Sequence, residues 1–132
     1  MPVKTLIIDD DKELCEEIVE ILSSEGYLIK AEYDGLKGKN EVEKGGYDLL
    51  LLDLKLPGLS GFDILKNIRE KNIRIKVIVV SGRPQDNSLI RENAFYPSKD
   101  KEEEDILKLA DGIISKPFEV KTMLNKIKEI LI

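Results

Sequence analysis

Asp48-Leu49-Leu50-Leu51-Leu52-Asp53 is a run of four leucines closed at each end by a carboxylate. Four apolar residues in unbroken succession offer both faces of a strand for burial, which is what a central strand of a parallel sheet covered on both sides requires. Two runs of the same kind stand on either side of it in the chain. Val3 to Ile8 is apolar and β-branched and stops at Asp9-Asp10-Asp11, and Val77 to Val80 stops at Ser81-Gly82. Each apolar run therefore ends abruptly in polar residues, as buried strands do where they meet a surface turn.

The segments between these runs read as helices. Leu14, Cys15, Ile18, Ile21 and Leu22 recur at helical spacing, and Gly26 supplies a left-handed stop. Tyr27 to Glu32 reads as a strand. Asp34-Gly35 turns into a second helix that Gly38 and Asn40 weaken. Pro57-Gly58 and Gly61 turn the chain into a third helix marked by Phe62, Leu65, Ile68 and Arg69. Beyond Ser81 the chain is irregular, with one or two helical turns expected within Ile90 to Phe95. Asp100 with Glu103 forms a capping box that predicts a helix over 101–110. Ile113-Ile114-Ser115 is a short strand, and Val120, Met123, Leu124, Ile127 and Leu131 line a final helix. Strands alternating with helices predict successive βα units, hence an α/β domain with a doubly wound five-stranded parallel sheet.

The length of 132 residues fits one domain over 1–132, large enough for a core without staples. A single Cys excludes an internal disulfide, and Cys15 falls on an apolar stripe as an inert core thiol. No apolar run is long enough to span a membrane and the N-terminus lacks a signal-peptide pattern, so a cytoplasmic location is expected. With 26 acidic against 21 basic residues the net charge is −5, which disfavours direct binding to nucleic acid and favours metal ions and basic partners. The absence of His removes Ser-His-Asp chemistry and most zinc sites.

Chemistry concentrates at the strand ends. Asp9-Asp10, Asp53, Ser81 and Lys116 each follow an apolar strand directly. In a doubly wound sheet these ends share one edge, and ligands bind there at the crevice where the winding reverses. With the flavodoxin-like order 2-1-3-4-5, the crevice lies between the strands ending at Asp9 and Asp53. Adjacent strands are about 4.8 Å apart, so Asp9, Asp10 and Asp53 crowd into one pocket. Carboxylates at that spacing repel unless a cation joins them, and a hard oxygen set suits Mg2+ or Mn2+. Ser81 falls one strand beyond Asp53, and Lys116 two strands beyond, within reach of a long side chain. As alternatives, Asp9 to Asp11 could cap the first helix, with Asp11 the strongest candidate. Glu102-Glu103-Glu104 reads as a solvated helix start, and Met123 as core.

These marks together resemble the receiver domain of two-component response regulators. The likeness covers Val3 to Leu131 and rests on Leu6-Ile7-Ile8-Asp9-Asp10, the Asp48–Asp53 strand, the Leu56-Pro57-Gly58 and Ser60-Gly61-Phe62 turns, Ser81-Gly82 and Ser115-Lys116-Pro117-Phe118. The resemblance implies that Asp53 accepts a phosphoryl group from a sensor histidine kinase or phosphotransfer protein. It implies that Asp9, Asp10 and Asp53 hold Mg2+ with the backbone carbonyl of Lys55, and that Ser81 and Lys116 bind the phosphoryl oxygens. The domain would catalyse its own phosphorylation and dephosphorylation without being a turnover enzyme. It would signal to a downstream protein through the fourth helix, fifth strand and fifth helix, as a monomer or a phosphorylation-dependent dimer. The domain would act alone or as a piece cut from a larger protein.

The chain departs from that pattern in two places. Residues 84–100 form an atypical insertion between the fourth and fifth strands. The aromatic residue that commonly swings inward falls near Ile113, which is aliphatic; Phe95 or Tyr96 could stand in for it. Lys55 and Arg83, bulky and cationic, are placed to affect water access and phosphoryl lifetime. Two other functions compete. A receiver-like interaction module could keep the fold and signal without phosphate. A haloacid dehalogenase-type phosphatase would need a second Asp where Lys55 stands, and no nucleotide-binding Gly motif occurs.

Overall fold

In the computed structural model, which describes residues 2–81 and 97–131, strands and helices alternate. Among the described residues the order is β1 (Lys4–Ile8), α1 (Lys12–Ser24), β2 (Leu28–Glu32), α2 (Gly35–Lys44), β3 (Leu49–Leu52), α3 (Gly61–Glu70), β4 (Lys76–Ser81), α4 (Pro97–Leu107), β5 (Gly112–Ser115) and α5 (Val120–Leu131). The strands form one five-stranded sheet in the order β2-β1-β3-β4-β5, every pair parallel, as the sequence predicts.

The leucine run of β3 sits at the centre, and all four of its side chains have no exposure. Their alternation divides the core into two layers. Leu50 and Leu52, with Val77 and Val79 of β4, pack against Val42 of α2 and Phe62, Leu65 and Ile68 of α3. Leu49 and Leu51, with Ile78 and Val80, pack against Cys15, Ile18 and Leu22 of α1 and Met123 and Ile127 of α5. Burying one such leucine contributes roughly 1.5–3 kcal/mol, so this strand anchors both layers. The strand-end carboxylates inherit its rigidity.

Local chemistry sets the helix boundaries. Asp11 caps α1, its side chain accepting a hydrogen bond from the Leu14 N–H at 3.1 Å. Gly26 ends the turn after α1 at φ +92°. The second helix is a full ten residues, firmer than its composition predicts. Asp34 caps it by accepting from the Lys37 N–H at 2.8 Å. A Cβ added at Gly38 would lie 2.6 Å from Cδ1 of Ile8, so this glycine lets α2 rest directly on β1.

The helix predicted over 101–110 begins earlier and ends earlier. It starts at Pro97, where the missing N–H is one that has no intrahelical partner in any case, and Asp100 therefore lies inside the helix. Residues 108–110 are turns closed by the Leu109 N–H on Ile106 O and the Ala110 N–H on Leu107 O. Asp111 does more than stop a helix: its Oδ2 accepts from the Val77 N–H at 2.7 Å and from Arg69 Nη2 at 2.9 Å, tying the start of β5 to β4 and α3. Glu102 and Glu104 are exposed, as a solvated helix start should be, and Met123 is core. Of the predicted insertion at 84–100, only 97–100 lies within the described residues, where it opens α4. Arg83, the Ile90 to Phe95 turns and Tyr96 lie outside them.

Candidate metal and phosphoryl centre

Parallel pairing brings the C-terminal ends of β1 and β3 side by side, with Ile8 opposite Leu52. The next residues are Asp9 and Asp53, and the Asp53 N–H donates to Ile8 O at 2.9 Å. Asp9 is 2% exposed and Asp53 7%, whereas Asp10 is exposed. One carboxylate oxygen from each of Asp9, Asp10 and Asp53 lies within 4.8 Å of the others.

Each group is held in place from several sides. Asp9 Oδ1 accepts from the Asp11 N–H at 2.9 Å, and its backbone carbonyl accepts from Cys15 Sγ at 3.3 Å. Burial, with Asp9 and Asp11 close by, pushes the Cys15 thiol up to about 12, so it stays a protonated donor. Asp53 Oδ1 accepts from the Lys55 N–H at 3.3 Å. Lys116 follows β5 directly, and the Lys116–Pro117 peptide bond is cis. Its ammonium donates to Asp9 Oδ2 at 2.8 Å and stands 3.8 Å from Asp53 Oδ2. Ser81 ends β4 in register with Ser115.

The electrostatics are unbalanced. Burial and then the charge of Asp9 raise the Asp53 pKa to about 6, against the lowering effect of Lys116 and of the Lys55 N–H. Burial alone would lower the Lys116 ammonium, but its hydrogen bond and charge contact with Asp9, with Asp53 and Asp11 behind, raise it above the ordinary lysine value. One cation thus faces three acidic groups. A hard divalent cation fits this donor set, because it would join the converging oxygens that Lys116 cannot satisfy alone. A cleft of about 410 Å3 opens beside Lys116, lined by Asp11, Leu14, Glu17, Pro117, Phe118 and Val120 among others.

The sequence pattern of the response regulator receiver domain matches residues 5–95. The chain belongs to the receiver domains of two-component response regulators. Among its relatives, the transcriptional regulatory protein DltR of Streptococcus agalactiae is 32% identical over 126 residues, covering 96% of this chain and 50% of that protein. The response regulator ArlR of Staphylococcus saprophyticus is 30% identical over 128 residues, covering 97% and 52%. The receiver thus spans about half the length of these relatives. Among solved structures it is similar to the response regulator TrrA of Thermotoga maritima in complex with Mg2+ and BeF, with a TM-score of 0.77 at 26% identity over 97% of this chain and 98% of that one. A CheY-like receiver from Methanospirillum hungatei gives 0.76 at 29%, over 98% and 93%.

Two participants at this edge are not legible from residue spacing. The Asp11 N–H and the Cys15 thiol both support Asp9, and spacing alone did not reveal either contact. Reading a capped helix directly after a strand could have found the first, since the cap fixes the backbone that donates. No helix among the described residues is long and apolar enough to cross a membrane.

Proposed function

We propose that this receiver takes a phosphoryl group onto Asp53 from the phosphohistidine of a sensor kinase or phosphotransfer protein, in a Mg2+-dependent reaction. The observation that carries this reading is the buried Asp53 carboxylate, grouped with Asp9 and Asp10 and 3.8 Å from the Lys116 ammonium. An oxygen of Asp53 forms the new P–O bond while the P–N bond to the donor imidazole breaks, its electron pair leaving with the nitrogen. The reaction is mainly positioning and charge neutralisation. Asp9, Asp10, Asp53 and the Lys55 carbonyl would hold Mg2+, which supplies positive charge to the phosphoryl oxygens. Mn2+ fits the same donors.

Lys116 has the reach for the other side of the reacting group. It can leave Asp9 for a phosphoryl oxygen while its backbone stays held directly after β5. Ser81, at the end of the neighbouring strand, completes the set. Hydrolysis by water at the same phosphorus would return free Asp53, with Lys55 at its flank affecting access. The new acceptor oxygens then bias the β4–α4 connection and the face made by α4, β5 and α5, where Ile113 is exposed and aliphatic. A downstream protein would read that face.

The test is the intact mass after incubation with Mg2+ and a small phosphodonor. A gain of about 80 Da, one phosphoryl group, that requires Mg2+ and vanishes in Asp53→Asn is the expected result. No gain in a folded protein that binds no Mg2+ would replace this reading with a phosphate-independent interaction module.

A further inference from the structure

The chain from Asp53 to Gly61 carries both the phosphoacceptor and the Lys55 carbonyl, and it is gripped at two points by residues without side chains. At its far end, the Gly61 N–H donates to Leu54 O at 2.9 Å, and a Cβ added at Gly61 would lie 2.1 Å from the carbonyl oxygen of Asp53. At its middle, the loop folds over the start of α2. There the Gly35 N–H donates to Pro57 O at 2.9 Å, and a Cβ at Gly35 would lie 1.8 Å from Leu59 O. Both contacts are backbone against backbone, so neither can be relieved by a side chain swinging away. Between them Gly58 takes φ +84° beside the Leu36 backbone.

Resting on the reading of Asp53 as phosphoacceptor, we propose that Gly35 is a positioning residue for metal binding and phosphoryl transfer. It belongs to another helix and contributes no ligand. Its bare backbone lets the β3–α3 loop close down on α2, with Gly61 closing the other end, and that closure sets where the Lys55 carbonyl and the Asp53 carboxylate point. A carbonyl ligand cannot adjust by rotating a side chain, so the whole loop must sit in place. Residues that orient metal ligands typically change affinity by about 10- to 100-fold, and displacements near 1 Å can cost similar factors in rate.

The test compares Mg2+ affinity by calorimetry, and phosphoryl uptake from a small phosphodonor, in the whole protein and three variants. Gly35→Ala is expected to weaken Mg2+ binding and slow uptake by about tenfold or more. Should that variant not fold, Gly58→Ala decides, because it strains the same loop at positive φ without a clash. Gly26→Ala is the matched control: φ is +92°, nothing lies within 4 Å of the added Cβ, and the position is at the opposite edge of the sheet. It should lose similar stability and keep wild-type Mg2+ affinity. Folded Gly35→Ala or Gly58→Ala proteins with unchanged affinity and uptake would overturn the proposal, as would an equal loss in Gly26→Ala. A wild-type protein that neither binds Mg2+ nor takes phosphate would instead remove the reading beneath it.

Discussion

Asp53 and Glu41 are both buried carboxylates, and the fold treats them in opposite ways. Glu41 on α2 accepts from Tyr47 Oη at 2.7 Å and pairs with Lys30 and Lys44, each at 3.2 Å. The Tyr47 hydrogen bond, then that of Lys30, hold its carboxyl down at about 2. Asp53 is raised to about 6 by burial and by Asp9. One carboxylate is satisfied from within the chain; the other is left in want of positive charge. Unrelieved repulsion at a rigid strand end is what a site that recruits a cation and an electrophile needs, whereas a satisfied cluster only holds elements together.

The contrast can be broken most strongly at Asp53. Its folded pKa lies above the unfolded value of about 3.9, so the stability it permits is full below pH 4 and is lost as pH rises through about 6. Without divalent ions at pH 7.5, Asp53→Asn should therefore be more stable than wild type by about 1–3 kcal/mol in urea unfolding. Mg2+ at a hundred times its Kd should raise wild type by about 2.7 kcal/mol and close that gap. Destabilisation by Asp53→Asn would mean that Lys116 already satisfies the pocket.

Tyr47→Phe moves the other way. Removing a hydrogen bond to a charged, buried acceptor should cost about 1–2 kcal/mol, with no change in Mg2+ affinity. Thr5 supplies a smaller and opposite case. It is fully buried on β1 and its Oγ1 has no hydrogen-bond partner, so Thr5→Val should add about 1 kcal/mol, read as a raised urea midpoint. The finest distinction is in the shape of acid unfolding. Glu41, with a folded pKa of about 2 against about 4.3 unfolded, contributes above pH 4.3 and loses that contribution as pH falls toward 2. Glu41→Gln should flatten the stability profile across that interval; an unchanged slope would show that the Tyr47 and lysine contacts do not govern the group.

The same pair of residues marks what could be read beforehand. Asp53 was legible because it stops an apolar strand, and strand ends in a parallel sheet share an edge whatever the details between them. The places of Asp9, Asp10, Ser81 and Lys116 at the strand ends were legible for the same reason. Glu41 was not, because an acidic residue inside a polar helix looks solvated until the packing of α2 on β1 buries it beside Tyr47. That packing depends on Gly38, which propensity counts against the helix and close approach to Ile8 favours. The start of α4 departs from the sequence expectation because a capping pattern can occur inside a helix as well as at its end. The preference of Lys116 for Asp9 over Asp53, by 2.8 Å against 3.8 Å, depends on side-chain reach that strand spacing does not set.

The ion pair between Lys116 and Asp9 also has a consequence in time. Its partners are 107 positions apart, so during synthesis at about 5–20 residues per second the carboxylate waits roughly 5–20 s for its ammonium to be made. Parallel sheets built from such distant pairings form slowly. A nascent chain ending before β5 carries all three acidic groups without the lysine that pairs with Asp9, and only the final helix remains to be made once that lysine is in place.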